Sequence, residues 1–306
     1  MAPALILSRL AQMLAVLALL SALFFALLAA MPGDPIDLAL AADPRLGPED
    51  AARLRALHGL DQPLHARYLA WAGAVLGGNA GHSRLFAQPV AALLGPALLS
   101  TLQLLGWALA LALAGGVALG ALAAARPRWA PAVAAVALLA QAMPAFWLGL
   151  LLIILFAVAL GWLPAGGAEP GWRFLLLPVA TLAVANLAAY ARHTAAALRA
   201  ALEEPHIRSA RARGASEARV LWRHAFPNAA VPVLALAGLD AGALVSGALV
   251  TETLFARPGM GKLIYDAVMG SDFNLALLAL LLVAAVTMLA TLAADLAQRW
   301  LDPRLA

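Results

Sequence analysis

Two stretches of this chain, residues 10–31 and 273–294, each run for 22 residues without a charged side chain. At 1.5 Å per helical residue, either one crosses a hydrocarbon layer of about 30 Å. The rest of the chain agrees with that reading: 64% of its residues are hydrophobic and 12% charged, with a mean hydropathy of +0.89. In lipid, backbone polar groups must be paired within the segment, so these runs are read as helices and the chain as an integral membrane protein. Residues 97–124, 131–160 and 227–251 are further apolar runs, the last interrupted only by Asp240, and 174–191 is a shorter one. The expected fold is all-α with six transmembrane helices.

Charge orients the bundle. Residues 203–224 read EEPHIRSARARGASEARVLWRH and hold Arg208, Arg211, Arg213, Arg219 and Arg223, which no lipid-facing helix carries. With Arg192 and Arg199 just before them, seven of the twenty basic residues cluster in what reads as one loop between spans. Positive loops stay in the cytoplasm, so this island is expected there, and with it both termini. The short loops on the other side hold only Arg173, Arg257 and Lys262. The arginines behind a sequence pI near 10.3 are then explained by topology and anionic lipid, and no nucleic-acid partner is implied. With no cysteine there is no disulfide, thiolate nucleophile or Cys-ligated metal, and no metal or cofactor site is expected. The first apolar run is too long for a signal-peptide core and is followed by Met31-Pro32 where small cleavage residues belong, so it reads as a retained span.

The expected organisation is a first helix and outer loop over 1–96, a core of spans two to six over 97–297, and a cytoplasmic tail over 298–306. Within the outer loop, acids at Glu49 and Asp50 and a glycine at Gly59 bound one helix. Asp61 and Pro63 open a second, along which Leu64, Tyr68, Trp71, Ala72 and Val75 recur before Gly77-Gly78. That stripe suits packing on the bundle or docking of an extracytoplasmic partner.

The island itself reads as helix, turn, helix. Glu203-Glu204-Pro205 start a short helix, Gly214 ends it, and Ser216 caps the next. At 100° per residue, Ile207, Ala210, Arg211 and Gly214 share one face. A rigid helix with a small face suits a groove on another protein, because little entropy is lost on docking.

Several other features resemble binding or catalytic motifs. Residues 256–263, ARPGMGKL, approach a phosphate-binding loop, but Ala256 stands where glycine is required and Leu263 where Ser or Thr is required. No nucleotide site of the chain's own is expected. Asp240 near the middle of the fifth span is read as facing the bundle interior, either lining a solute path and attracting a cationic group, or bonded to a neighbouring helix. Asp240 with Asp295 lies at unequal depths for a protease pair, and Ser246 lacks the Gly-x-Ser-x-Gly setting. Gly116 and Gly120 are spaced for close helix packing. Pro144, Pro178 and Pro232 are expected to allow kinks in spans three, four and five.

The island resembles the EAA loop of permease subunits of binding-protein-dependent ABC importers. Ser209-Ala210 stand near its Ala-Ala pair, Gly214 is its glycine and Phe226-Pro227 its closing pair, with Arg208 in place of its glutamate. The text ARARGASEARVLWRHAFPNAAVPV resembles the dipeptide, oligopeptide and nickel branch. So do Met31 to Pro35 (MPGDP), Gly59 to Leu64 (GLDQPL), Pro144 to Leu150 (PAFWLGL), and Glu252 to Phe255 with Arg257 to Gly261 (ETLF, RPGMG). A single early span followed by a long outer loop is similar to the first of the two permeases such importers use.

The resemblance implies a type I ABC importer-like permease in the bacterial inner membrane, forming half of a path for peptides or related small solutes. It implies four kinds of neighbour: a second permease, two cytoplasmic ATPases, an extracytoplasmic solute-binding protein and the lipid bilayer. Ile207, Ala210, Arg211, Gly214, Phe226 and Pro227 become the ATPase-coupling residues. Two other classes remain open on the residues alone: a self-contained proton-coupled secondary transporter using Asp240, and a membrane scaffold.

Overall fold

The computed structural model describes residues 3–30, 62–169 and 171–301, whose regular structure is helical except for an isolated bridge between His82 and Pro89. The helix expected before Gly59, Asp61 as a cap and the motif from Met31 to Pro35 lie outside the described residues. The chain divides into two compact units. One comprises residues 99–262 and 286–306; the other comprises 2–98 and 263–285.

In the first unit the organising element is α6, which packs against α4, α5 and α8. These helices span Arg173–Glu203 (α6), Ala130–Ala142 (α4), Ala145–Leu152 (α5) and Phe226–Leu254 (α8). The unit also holds most of α3, Val90–Ala125. Where α3 crosses α6 the helix backbones nearly touch. A β-carbon on Gly116 would stand 2.5 Å from Cβ of Tyr190, and one on Gly120 would stand 2.6 Å from both the Ala191 carbonyl and Cβ of Thr194. The spacing of these two glycines is therefore used for packing. Replacing Gly120 by leucine is expected to cost about 3 kcal/mol, the upper end of the overpacking range, measured as a loss of unfolding free energy in mixed micelles.

Two departures from the expected spans have local causes. The run expected as one span over 131–160 is broken: its halves, Pro127–Ala142 and Ala145–Ala159, meet at 101°. Pro144 has no N–H to donate and disfavours helix in the residue before it. Met143 (ψ 127°) and Pro144 (ψ 135°) are accordingly both extended, and two non-helical residues in succession turn the chain. Secondly, α6 does not end at Ala191 but continues to Glu203, through residues expected as loop. Ala, Leu, Arg and Glu in this stretch are strong helix formers, and no Gly or Pro intervenes until Pro205. Arg192 is held there by Gln141 (2.7 Å). The bend of 50° in α6 lies between Val184 and Asn186 rather than at Pro178, where Asn186 Nδ2 donates to the Leu182 carbonyl at 3.1 Å.

The second unit contains α1 (Pro3–Ala29), α2 (Leu64–Leu76), the later part of α9 (Met260–Met269) and the start of α10 (Phe273–Leu301). The aromatic stripe of α2 is turned onto α1. Tyr68 meets Phe25 edge-on at 5.6 Å and shares a hydrogen bond of 2.8 Å with Ser21, while Trp71 lies 5.8 Å from Phe25. These two side chains thus pack on a neighbouring helix. Asp272, at the start of α10, gathers the outer segment: Ser83 Oγ donates to its carboxylate at 2.6 Å, and the Leu85 and Leu275 N–H groups at 3.0 and 3.3 Å.

Among the described residues, three helices are long and apolar enough to cross a membrane, and up to five spans result if each bent pair counts as one. Their outward faces are as apolar as an interior. Leu14, Leu19 and Leu99 are each 69% exposed, which is stable only against lipid or another apolar surface.

Candidate functional site

The island between α6 and α8 is built from its caps. Glu204 is extended and Pro205 takes the first helical position of α7 (Pro205–Ala212), where a missing N–H costs nothing. At the other end Gly214 adopts φ +81°, so that its N–H donates to the Arg211 carbonyl (2.9 Å) and the Ala215 N–H donates back to Ala210 (3.2 Å). This left-handed turn closes the helix, as the sequence leads one to expect. Ser216 Oγ then accepts from the Arg219 N–H at 3.4 Å, and a helical lead-in from Glu217 to Ala225, wide-turned after Arg219, runs directly into α8.

The expected common face of Ile207, Ala210, Arg211 and Gly214 is divided in the structure. Ile207 and Ala210 are buried in the chain's own core with Ala121, Leu198, Ala201, Val220, Ala225 and Ala229. Full burial of Ile207 contributes about 1.5–3 kcal/mol to holding α7 on the bundle. Arg211 and Gly214 are exposed, and no atom lies within 4 Å of where a β-carbon on Gly214 would stand. Arg211 makes a bidentate pair with Glu217, Nε to Oε1 at 2.9 Å and Nη2 to Oε2 at 3.1 Å, which spans the turn. That hydrogen bonding holds the Glu217 carboxyl below the ordinary carboxylate range. Phe226 packs half-buried against the same core and lies 5.2 Å from Trp222, whereas Pro227 is exposed. The exposed residues of α7 and its closing turn include Arg208, Ser209 and Arg211 to Gly214, on a helix seated from beneath.

A second constellation had no assigned role in the sequence reading. Glu252, in the last turn of α8, is completely buried. Its Oε1 accepts from Thr101 Oγ1 of α3 at 2.6 Å; its Oε2 accepts from the N–H groups of Gly261 and Lys262 at 2.7 and 3.3 Å. Thr101 Oγ1 in turn accepts from the Met260 N–H at 2.8 Å. One carboxylate thus caps α9 and ties it to α3 and α8. Arg257, also buried, adds positive charge and donates through Nη2 to Gln103 Oε1 at 3.1 Å. The two glycines of the RPGMG stretch are required by contact: a β-carbon on Gly259 would stand 2.1 Å from the Glu252 carboxyl, and one on Gly261 would stand 2.3 Å from Cα of Leu249. The signal for this site was a lone acid followed by two closely spaced glycines. The resemblance of residues 256–263 to a phosphate loop also finds its explanation, since the amides of Gly261 and Lys262 are engaged by an internal carboxylate.

Asp240 lies in α8 and is half-buried. It is on the same side of that helix as Val233 and Ala237, which pack around Tyr190 of α6, and its carboxyl lies within Coulombic reach of the Tyr190 hydroxyl. That hydroxyl is buried and makes no well-formed hydrogen bond.

Residues 116–306 match the family of binding-protein-dependent transport system inner membrane components, and residues 3–95 match the N-terminal family of the same membrane components. The chain belongs to this permease family. The "Probable peptide ABC transporter permease protein y4tP" of Sinorhizobium fredii is 35% identical, covering 98% of each chain. The di/tripeptide transport system permease protein DppB of Pseudomonas aeruginosa is 35% identical, and the oligopeptide transport system permease protein AppB of Bacillus subtilis 33%, each over 92% of this chain and 93% of the relative. A chain from the crystal structure of an amino acid ABC transporter with histidines shares the fold over 70% of this permease and 94% of its own length, with a TM-score of 0.50 at 20% identity. The permease is thus an ABC importer membrane component, a multi-pass protein of the inner membrane.

Proposed function

We propose that this permease forms half of the translocation path of an ATP-driven importer for peptides or related small solutes. In this reading it has six spans with both termini in the cytoplasm. A second permease completes the path, an extracytoplasmic binding protein delivers solute, and two cytoplasmic ATPases drive it. The observation that carries the reading is the island. A helix started by Pro205 and closed by Gly214, seated on the bundle by Ile207 and Ala210 and continuous through Phe226-Pro227 with α8, converts a push from below into tilting of a membrane helix. Arg211 and Gly214 face outward and are the contact residues of this proposal; Ile207 and Ala210 serve it by fixing the helix they sit on. Similarity to relatives named as peptide permeases, at 35% identity over 92–98% of the chain, supports peptides as the solute class.

Proteoliposomes carrying the permease with its co-purified partners test this. ATP-dependent uptake of trialanine is expected. Uptake driven by a pH gradient, with no ATPase present, would replace this reading by that of a proton-coupled secondary transporter.

A further inference from the structure

Inside the first unit, Tyr190 is completely buried, and its hydroxyl makes no hydrogen bond of good geometry. Its ring is wedged between α3, where a β-carbon on Gly116 would strike Cβ of Tyr190, and Val233 and Ala237 of α8. A buried phenol ordinarily finds a hydrogen-bond partner, because leaving one unmade forfeits its hydration with nothing in return. Asp240, three residues beyond Ala237 and seven beyond Val233, falls on the α8 face that meets Tyr190 and is near enough for its carboxyl to act on the hydroxyl. Unlike Tyr190, Asp240 is only half-buried. The hydroxyl of Thr194, one helical turn along α6 from Tyr190, is a second buried group without a partner. A half-buried carboxylate in an apolar bundle, beside a fixed phenol, is suited to a ligand that brings positive charge and N–H donors.

We propose that Asp240, oriented by Tyr190, is a way-station for the protonated amine of the transported solute, the α-ammonium group of a peptide. This rests on the peptide-import reading above. Asp240 meets the ligand; Tyr190 is a positioning residue that holds the carboxylate toward it. A rigid phenol behind the carboxylate keeps one oxygen engaged and leaves the other for the ammonium group.

The test uses the complete importer in proteoliposomes and compares trialanine with N-acetyl-trialanine, which lacks the charged amine. Each is delivered by the binding protein at equal occupancy. Asp240→Asn is expected to slow trialanine uptake about tenfold, the loss of one charge-assisted hydrogen bond, and to leave the acetylated peptide within about twofold. Asp240→Glu restores most of the rate, and Tyr190→Phe shows a smaller loss with the same preference. Equal losses for both peptides would make Asp240 a structural residue and overturn the proposal, as would unchanged trialanine uptake in Asp240→Asn. If the wild-type importer moves neither peptide, the import reading itself fails and this proposal falls with it, an outcome distinct from wild-type transport that is indifferent to Asp240.

Discussion

Glu252→Ala is expected to cost the folded permease about 3–5 kcal/mol, the range for stranding the partners of a buried charge. Its one carboxyl accepts from three donors on two elements. Without it the amides of Gly261 and Lys262 and the Thr101 hydroxyl lose their acceptor, and the Arg257 guanidinium keeps its burial without the opposing carboxylate. Thr101 and Arg257 are buried and Lys262 half-buried, so the stranded groups lie largely in a low-dielectric setting that penalises them. Glu252→Gln, which keeps the shape and one carbonyl acceptor, is expected to lose less than half as much. Unfolding in mixed micelles measures both, and equal stability of wild type and Glu252→Ala would refute the capping role. Gly259→Ala provides an independent check from the other side of the contact, because its added methyl would collide with the same carboxyl.

The second large effect is on coupling rather than stability. Gly214→Ile places a β-branched residue at φ +81°, which costs about 1–2 kcal/mol for a non-glycine residue and more with branching. No atom lies within 4 Å of the added β-carbon, so the cost is one of backbone conformation. Membrane insertion and the bundle should therefore survive, while the turn between α7 and Ser216 changes course and the exposed face of the island is misaligned. Peptide uptake per ATP hydrolysed is expected to fall about tenfold or more, with the expression level within about twofold of wild type, since ~1.4 kcal/mol of mispositioning already corresponds to tenfold. Undiminished uptake in Gly214→Ile would remove the island from the coupling path.

Much of this architecture was written in simple physical terms. A run of 22 uncharged residues has few folding options in water, and the helices α1 and α10 lie where those runs lie. The island's caps were equally legible, because Pro205 suits a first helical turn, Gly214 a left-handed backbone and Ser216 a side-chain acceptor for free N–H groups. What a helical wheel cannot say is against what a small face is buried. Ile207 and Ala210 form such a face, and the structure turns it onto α6 and α8. Long-range ties were illegible for a related reason: Thr101 and Glu252 are 151 positions apart, and neither residue type announces its partner. The break at Pro144 was foreseen as a kink but not as a turn of 101°, since its size comes from Met143 and Pro144 both leaving the helix.

The central claim is that the island between α6 and α8 touches the ATPase. Because the chain contains no cysteine, a single cysteine placed at exposed Arg208 or Arg213 is a unique reporter in the complete importer. The account predicts cross-linking of either position to the ATPase subunit, with a yield that changes when ATP binds, and none from a cysteine at Leu76, assigned to the outer side. Efficient cross-linking from Leu76, or its absence from both island positions in a complex that transports normally, would contradict it.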